Sequence, residues 1–237
     1  QTTALRVTQF FSTVSKEVRK KIRSKRLIKI LEFPVLFLGA KPSNTPAFYN
    51  FMNYADFGLG TWHPKGGMYS VVEGMKQLAE ELGVTFYTNS NVKKIVVESG
   101  NAIGIKVHGK TINSDIVLSG ADYHHTESLL DIKDRQYSES YWSKKIFAPS
   151  SLLFYVGFDK KLKNVKHHNL FFDTDFDAHA VEIYDKPKWP TSPLFYANFT
   201  SLTDSNSAPE GKENGFFLIP LATDLEDTEA LRNKYFE

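Results

Sequence analysis

Residues 60–84 read GTWHPKGGMYSVVEGMKQLAEELGV, with two adjacent glycines, Gly66 and Gly67, directly before an amphipathic pattern. Val71, Met75, Leu78, Ala79 and Leu82 recur at helical spacing, which predicts a helix from Met68 to Leu82 with one apolar side. Gly83 supplies its C-terminal stop. A glycine pair at a helix start has two readings. It lets the backbone approach a ligand closely, at a helix end that favours anionic groups. An ordinary tight turn uses the same residues. The chain has no Walker lysine and no complete G-x-G-x-x-G, so no phosphate cradle can be assembled from what is present.

Working outward toward the C-terminus, VTFYT at 84–88 reads as a strand. NVKKIVVE, NAIGIKVHG and KTIN, over 91–113, read as a small antiparallel meander turned at Ser99-Gly100-Asn101 and Gly109-Lys110. SDIVLSGAD at 114–122 reads as a short apolar strand running into a Gly-Ala turn, and YHHTESLL as a helix that Asp122 caps. Helix, strand, meander, strand and helix imply an α/β layer with a parallel sheet. After Asp131 the texture changes. FAPSSLLFYVGFD, HHNLFFD, SPLFYANFTSLT and GFFLIP read as aromatic-rich strands of a second, mostly antiparallel unit. Short helices fit between them at Asp177–Tyr184 and Asp227–Phe236.

Working toward the N-terminus, KPSNTPAFYNFMNYADFG at 41–58 reads as a helix capped by Asn44 or Thr45. Its apolar face is Phe48, Phe51, Met52 and Ala55. Residues 4–31 read as one long helix with the stripe Val7, Phe11, Val14, Val18 and Ile22. Eight lysines and arginines crowd residues 16–29 on the other side. That face is either solvated or a membrane-surface contact.

Composition bounds the rest. The 237 residues, 41% of them apolar, suffice for one large core or two small ones. A net charge of +2 gives no push toward nucleic acid. Cysteine is absent, which excludes disulfides, thiolate metal sites and cysteine nucleophiles. Of the seven histidines, His124-His125 and His167-His168 are adjacent pairs without metal-ligand spacing, so no metal is expected. No G-x-S-x-G marks a serine hydrolase. No segment reaches the ~20 apolar residues of a membrane span, and the opening residues lack a signal-peptide pattern. Starting without Met and inside a helical pattern, the chain is expected to be a piece of a longer protein.

The order of PKGGM, SGAD, KHHNLFFD, SLTD and APEG, with their surroundings, covers nearly the whole chain. It resembles the central segment of the bacterial-type phytoene desaturases, FAD-dependent carotenoid desaturases within the amine-oxidase-like flavoproteins. The resemblance implies part of a Rossmann-like FAD-binding domain with a β-meander, at 60–130. A substrate domain with a mixed or antiparallel sheet and helices would be split between 1–59 and 131–237. It implies FAD as cofactor, with Gly66 and Gly67 beside the flavin or the channel mouth. Val92 would offer backbone groups to the adenine, and Gly120, Ala121 and Asp122 would border the diphosphate-ribose end. The implied reaction is desaturation of a long polyene such as phytoene. A later-step desaturase, a carotenoid isomerase and a non-enzymatic carotenoid-binding module are the alternatives. The catalytic base is not identified: Asp56, His63 and Asp122 lie nearest and carry no signature. Because the glycine-rich unit at the start of such proteins is missing, the stretch alone is expected to hold FAD weakly. A carotenoid substrate implies a cytoplasmic enzyme attached peripherally to the membrane surface.

Overall fold

Thr13 starts the first helix by accepting the Lys16 N–H, and α1 runs Val14–Lys21. The computed structural model describes residues 11–145 and 147–237, apart from the side chains of Leu36 and Phe37. Within that range the single helix expected over 4–31 is broken. Ile22 leaves α1 in extended conformation, and α2, Lys25–Glu32, begins after Ser24. The reversal lets both helices bury one side on a shared core. Val14, Val18 and Val35 form it, with Ile22, Ile28, Leu31 and Tyr49 packed around them. It also brings Arg19 onto the buried Glu32, with Nε and Nη2 each 2.9 Å from a carboxylate oxygen. The same guanidinium meets Asp177 at 3.2 Å. The stripe that could have faced a membrane is therefore mostly internal. Phe11 is exposed, and Val7 lies outside the described residues.

The helix expected after residue 41 is irregular. A 3-10 turn, Ala47–Asn50, leads into α3, Phe51–Asn53, and a wider π turn, Tyr54–Leu59. Neither Asn44 nor Thr45 caps it. Pro46 takes the cap position, and the Thr45 hydroxyl donates instead to the Lys41 carbonyl. α4, Tyr69–Glu81, matches its sequence pattern, yet none of its residues is buried.

The meander forms, with its second turn at His108-Gly109 rather than at the expected Gly109-Lys110. β1 (Val92–Glu98), β2 (Asn101–Val107) and β3 (Lys110–Asn113) pair antiparallel in that order. Its two hairpin turns have positive φ at both central residues: Ser99 and Gly100 at 50° and 79°, His108 and Gly109 at 48° and 77°. This is the turn geometry whose twist matches the strands. The segments 84–88 and 114–120 form no strand, and no parallel pairing is made among the described residues. A strand needs a neighbour to take its backbone groups. α5, Tyr123–Ser128, follows Asp122, whose carboxylate accepts the His125 N–H, as the sequence indicated. α6 is the single turn Glu139–Trp142.

The larger sheet contains β4 (Ser150–Phe158), β5 (His168–Phe171), β6 (Phe195–Asn198) and β7 (Glu213–Leu221), in the order β4-β7-β6-β5, all antiparallel. α7 (Phe176–Tyr184) lies between β5 and β6 in sequence, and α8 (Glu229–Phe236) follows β7. Side chains alternate between the two faces. One face carries Leu152, Ile219 and Leu221, packed with Phe154, Trp189, Phe195, Leu225 and Tyr235. The register puts Leu153, Leu218 and Tyr196 in one row of the other face, and Tyr155, Phe216, Asn198 and His168 in the next.

Among the described residues the chain thus builds helices with antiparallel sheets rather than the expected parallel layer. It divides into two compact units, Gln1–Met75 with Phe147–Glu237, and Lys76–Ile146.

Candidate functional site

Two features of the first unit adjoin at Tyr196. One is an apolar cavity of about 260 Å³, lined by Phe33, Phe172, Phe176, Ala180, Ile183, Leu194, Leu218 and Tyr196 among others. α7 supplies its small and aliphatic wall, and β6 and β7 supply part of the rest. Pockets that take a whole small molecule run from about 300 to 1,000 Å³. This one suits a section of a longer apolar molecule.

The other is a polar cluster running from Tyr196 to the Gly66 turn. Tyr196 Oη is 2.6 Å from His168 Nδ1, and the Asn198 side-chain amide donates to Tyr196 Oη at 3.0 Å. The His168 ring lies 4.4 Å from that of His167, which lies 5.1 Å from that of His63. His167 Nδ1 is 2.6 Å from the Thr203 hydroxyl. His63 Nε2 is buried, without a hydrogen bond, 3.6 Å from Asp204 Oδ2. That same oxygen accepts the Gly66 N–H at 2.9 Å. The Asn206 N–H, and after it the Gly66 N–H and His63, hold the buried Asp204 carboxyl below the usual carboxylate range against the cost of burial. Burial lowers His167, helped by His168 and His63. Burial also lowers His168, with Asp56 opposing and His63 adding to the shift. Burial raises the Tyr196 phenol, opposed by the Asn198 hydrogen bond. At neutral pH His167 and His168 are neutral imidazoles beside a neutral Tyr196 phenol, and Asp204 is a carboxylate.

The residues expected to meet the cofactor fall in both units. In the first, Gly66 and Gly67 turn with φ of 86° and 89°. A Cβ added to Gly67 would meet nothing within 4 Å, so its backbone conformation requires glycine rather than crowding. In the second, Val92 opens β1 opposite Val107. Gly120 also faces open space, and the Ser119 hydroxyl accepts the Ala121 N–H. Asp122 spends one carboxylate oxygen on its cap. In the first unit, the left-handed glycine turn, the open space at Gly67 and the buried His63 Nε2 beside Asp204 fit a polar group approached closely by backbone.

Of the three polar candidates read from sequence, His63 joins the cluster. Asp56 acts on His168 through its charge and accepts the Thr61 hydroxyl. Asp122 is a helix cap. Sequence reasoning missed Asp204 and the histidine pair as site residues, and held Tyr196 and Asn198 only as part of an aromatic strand, 194–199, that could wall a substrate channel. Among the described residues no group of side chains suits a metal ion.

The sequence pattern of the flavin containing amine oxidoreductases matches residues 2–234. The chain belongs to that family. It is 39% identical over 230 residues to a carotenoid 3,4-desaturase of Haloarcula japonica, covering 97% of this chain and 46% of that protein. It is 30% identical over 207 residues to a zeta-carotene-forming phytoene desaturase of Myxococcus xanthus, covering 86% of this chain and 40% of that protein. The chain thus spans less than half the length of these curated relatives. An oxidoreductase structure from Methanosarcina mazei shares the fold, with a TM-score of 0.66 at 19% identity, over 98% of this chain and 53% of that one.

Proposed function

We propose that the chain serves the FAD-dependent desaturation of a carotenoid. The observation that carries this reading is the apolar cavity that meets a polar, proton-accepting cluster at Tyr196, in a flavoprotein-family chain. FAD, when bound, would accept a hydride from the polyene. Gly66, Gly67, Gly120 and Ala121 are the residues that would let backbone approach it, with Val92 at the adenine. Phe33, Phe172, Phe176 and Leu218 would hold the polyene and keep water out. Similarity to a carotenoid 3,4-desaturase favours a later-step carotene over phytoene as substrate.

Expression of the complete gene in a host that accumulates phytoene, and in one that accumulates a later carotene, tests this. The expected result is longer-wavelength pigment in the second host, and less protein-bound flavin absorbance in Gly67→Val and Gly120→Val variants. Flavin-loaded protein that changes neither pigment would overturn the reading.

Peripheral attachment to the cytoplasmic membrane surface is the accompanying proposal. No helix among the described residues is long and apolar enough to cross a membrane. α2 instead leaves Leu27 and Ile30 exposed, close in sequence to the exposed Lys20, Lys21, Arg23, Lys25 and Arg26. Cations near an anionic surface contribute about 1 kcal/mol each. Replacing Lys20, Lys21, Arg23 and Arg26 by Gln is expected to abolish co-sedimentation with anionic vesicles while leaving the fold intact. Arg19 is spared because it neutralises the buried Glu32. Unchanged vesicle binding by this variant would reject the helix as the contact.

A further inference from the structure

Asn198 orients the hydrogen bonds of the Tyr196 phenol. Its amide nitrogen can only donate. It lies 3.0 Å from Tyr196 Oη and 3.3 Å from His168 Nδ1. The shorter contact is the hydrogen bond, which Tyr196 Oη accepts. The Tyr196 O–H is then free to point at His168 Nδ1, 2.6 Å away, in the tautomer that carries the ring proton on Nε2. The register explains why the three meet. His168 and Asn198 are direct cross-strand partners, and Tyr196 stands two residues along the same face of β6. Tyr196 also lines the apolar cavity, while His168 is exposed. The dyad thus has one end at the cavity and the other in solvent.

We propose that Tyr196 is the catalytic proton acceptor of the desaturation and that His168 is the relay partner that carries the proton out. This rests on the carotenoid-desaturase reading. FAD, when bound, would supply the oxidant that takes the hydride of one carbon. The neighbouring C–H transfers its proton to Tyr196 Oη as the tyrosine's own proton crosses to His168 Nδ1. The electron pair of that C–H bond becomes the new C=C bond. His168 becomes an imidazolium and gives its Nε2 proton to water. A carbon beside an electron-deficient centre is acidic, so a neutral imidazole behind a phenol suffices.

The groups facing His168 are Tyr196, Asn198, His167, His63 and Asp56. Burial and His63 outweigh Asp56 and keep the ring neutral at pH 7. The relay is therefore ready at neutral pH and is lost as pH falls and His168 takes up a proton.

The test uses the full-length flavin-loaded enzyme. Tyr196→Phe and His168→Gln are each expected to lower kcat about 100-fold, the low end for a lost acid–base group, with KM and flavin content unchanged. The acid limb of the wild-type kcat profile should vanish in Tyr196→Phe. Ring-nitrogen NMR on the flavin-free chain gives a second readout: Nδ1 of His168 unprotonated, and shifted in Tyr196→Phe. An active wild type equalled by Tyr196→Phe, or a protonated Nδ1 at neutral pH, would overturn the dyad alone. A flavin-loaded wild type that desaturates no carotenoid would overturn the carotenoid reading and the dyad's role together.

Discussion

Gly104→Ala is expected to unfold the three-stranded meander. Gly104 sits in the middle strand, paired with Val96 on one side and Asn113 on the other. Its φ is 153°, a conformation L side chains rarely adopt. A Cβ there would lie 2.2 Å from the Ile112 carbonyl oxygen and 2.9 Å from the Asn113 Cα. Both are backbone atoms of the neighbouring strand, so no side-chain rotation relieves the clash. Backbone strain and overlap together should cost more than about 3 kcal/mol. Amide hydrogen exchange would show it as lost protection over 92–113, with β4–β7 still protected. Wild-type protection across the meander would contradict the close approach.

Phe176→Ala should carry the next largest effect. Phe176 opens α7, next to the Asp175 cap, and is 4% exposed. Its ring meets Phe172 edge-on at 6.2 Å, and both line the apolar cavity. Truncating a buried phenylalanine costs about 3–5 kcal/mol, part of it for the space left behind. Here that space would enlarge a cavity already present. A lowered thermal midpoint is expected, partly restored by a small aromatic solute such as benzene, which occupies such apolar voids. Full stability without the solute would show that the ring is not part of the cavity wall.

Much of this architecture was legible because it is local. The meander follows from alternation plus the turn glycines Gly100 and Gly109, though the pattern places the second turn one residue late, at Gly109-Lys110 instead of His108-Gly109. Asp122 could be read as a cap from its place before a helical pattern, and the Gly66-Gly67 turn from the need for small residues. Other features depended on distant partners. The break between α1 and α2 is stabilised by packing on Val35 and by the Arg19–Glu32 pair, neither visible in the apolar period. The segments 84–88 and 114–120 have strand-like composition, but composition does not supply a neighbouring strand. The site was the least legible part. His63, His167 and Asp204 come together from three separate stretches, and no spacing rule links them. The adjacent histidines lack metal-ligand spacing, and neighbours along a strand face opposite ways. His167 precedes β5, so its ring is free to lie beside that of His168.

The interleaving of the two units has a consequence for biosynthesis. Lys76–Ile146 is one uninterrupted stretch, and its meander is closed by two-residue turns. Such short-range contacts form quickly, as soon as the stretch leaves the ribosome. The other unit is cut in two by it. The α1–α2 core can assemble early, but three of its ties wait for later residues: Arg19 for Asp177, Lys41 for Asp185 and the Gly66 N–H for Asp204. At about 5–20 residues per second, those partners arrive seconds afterwards. The Gly66 turn is thus locked only when Asp204 emerges and is seated, long after the inserted unit has folded.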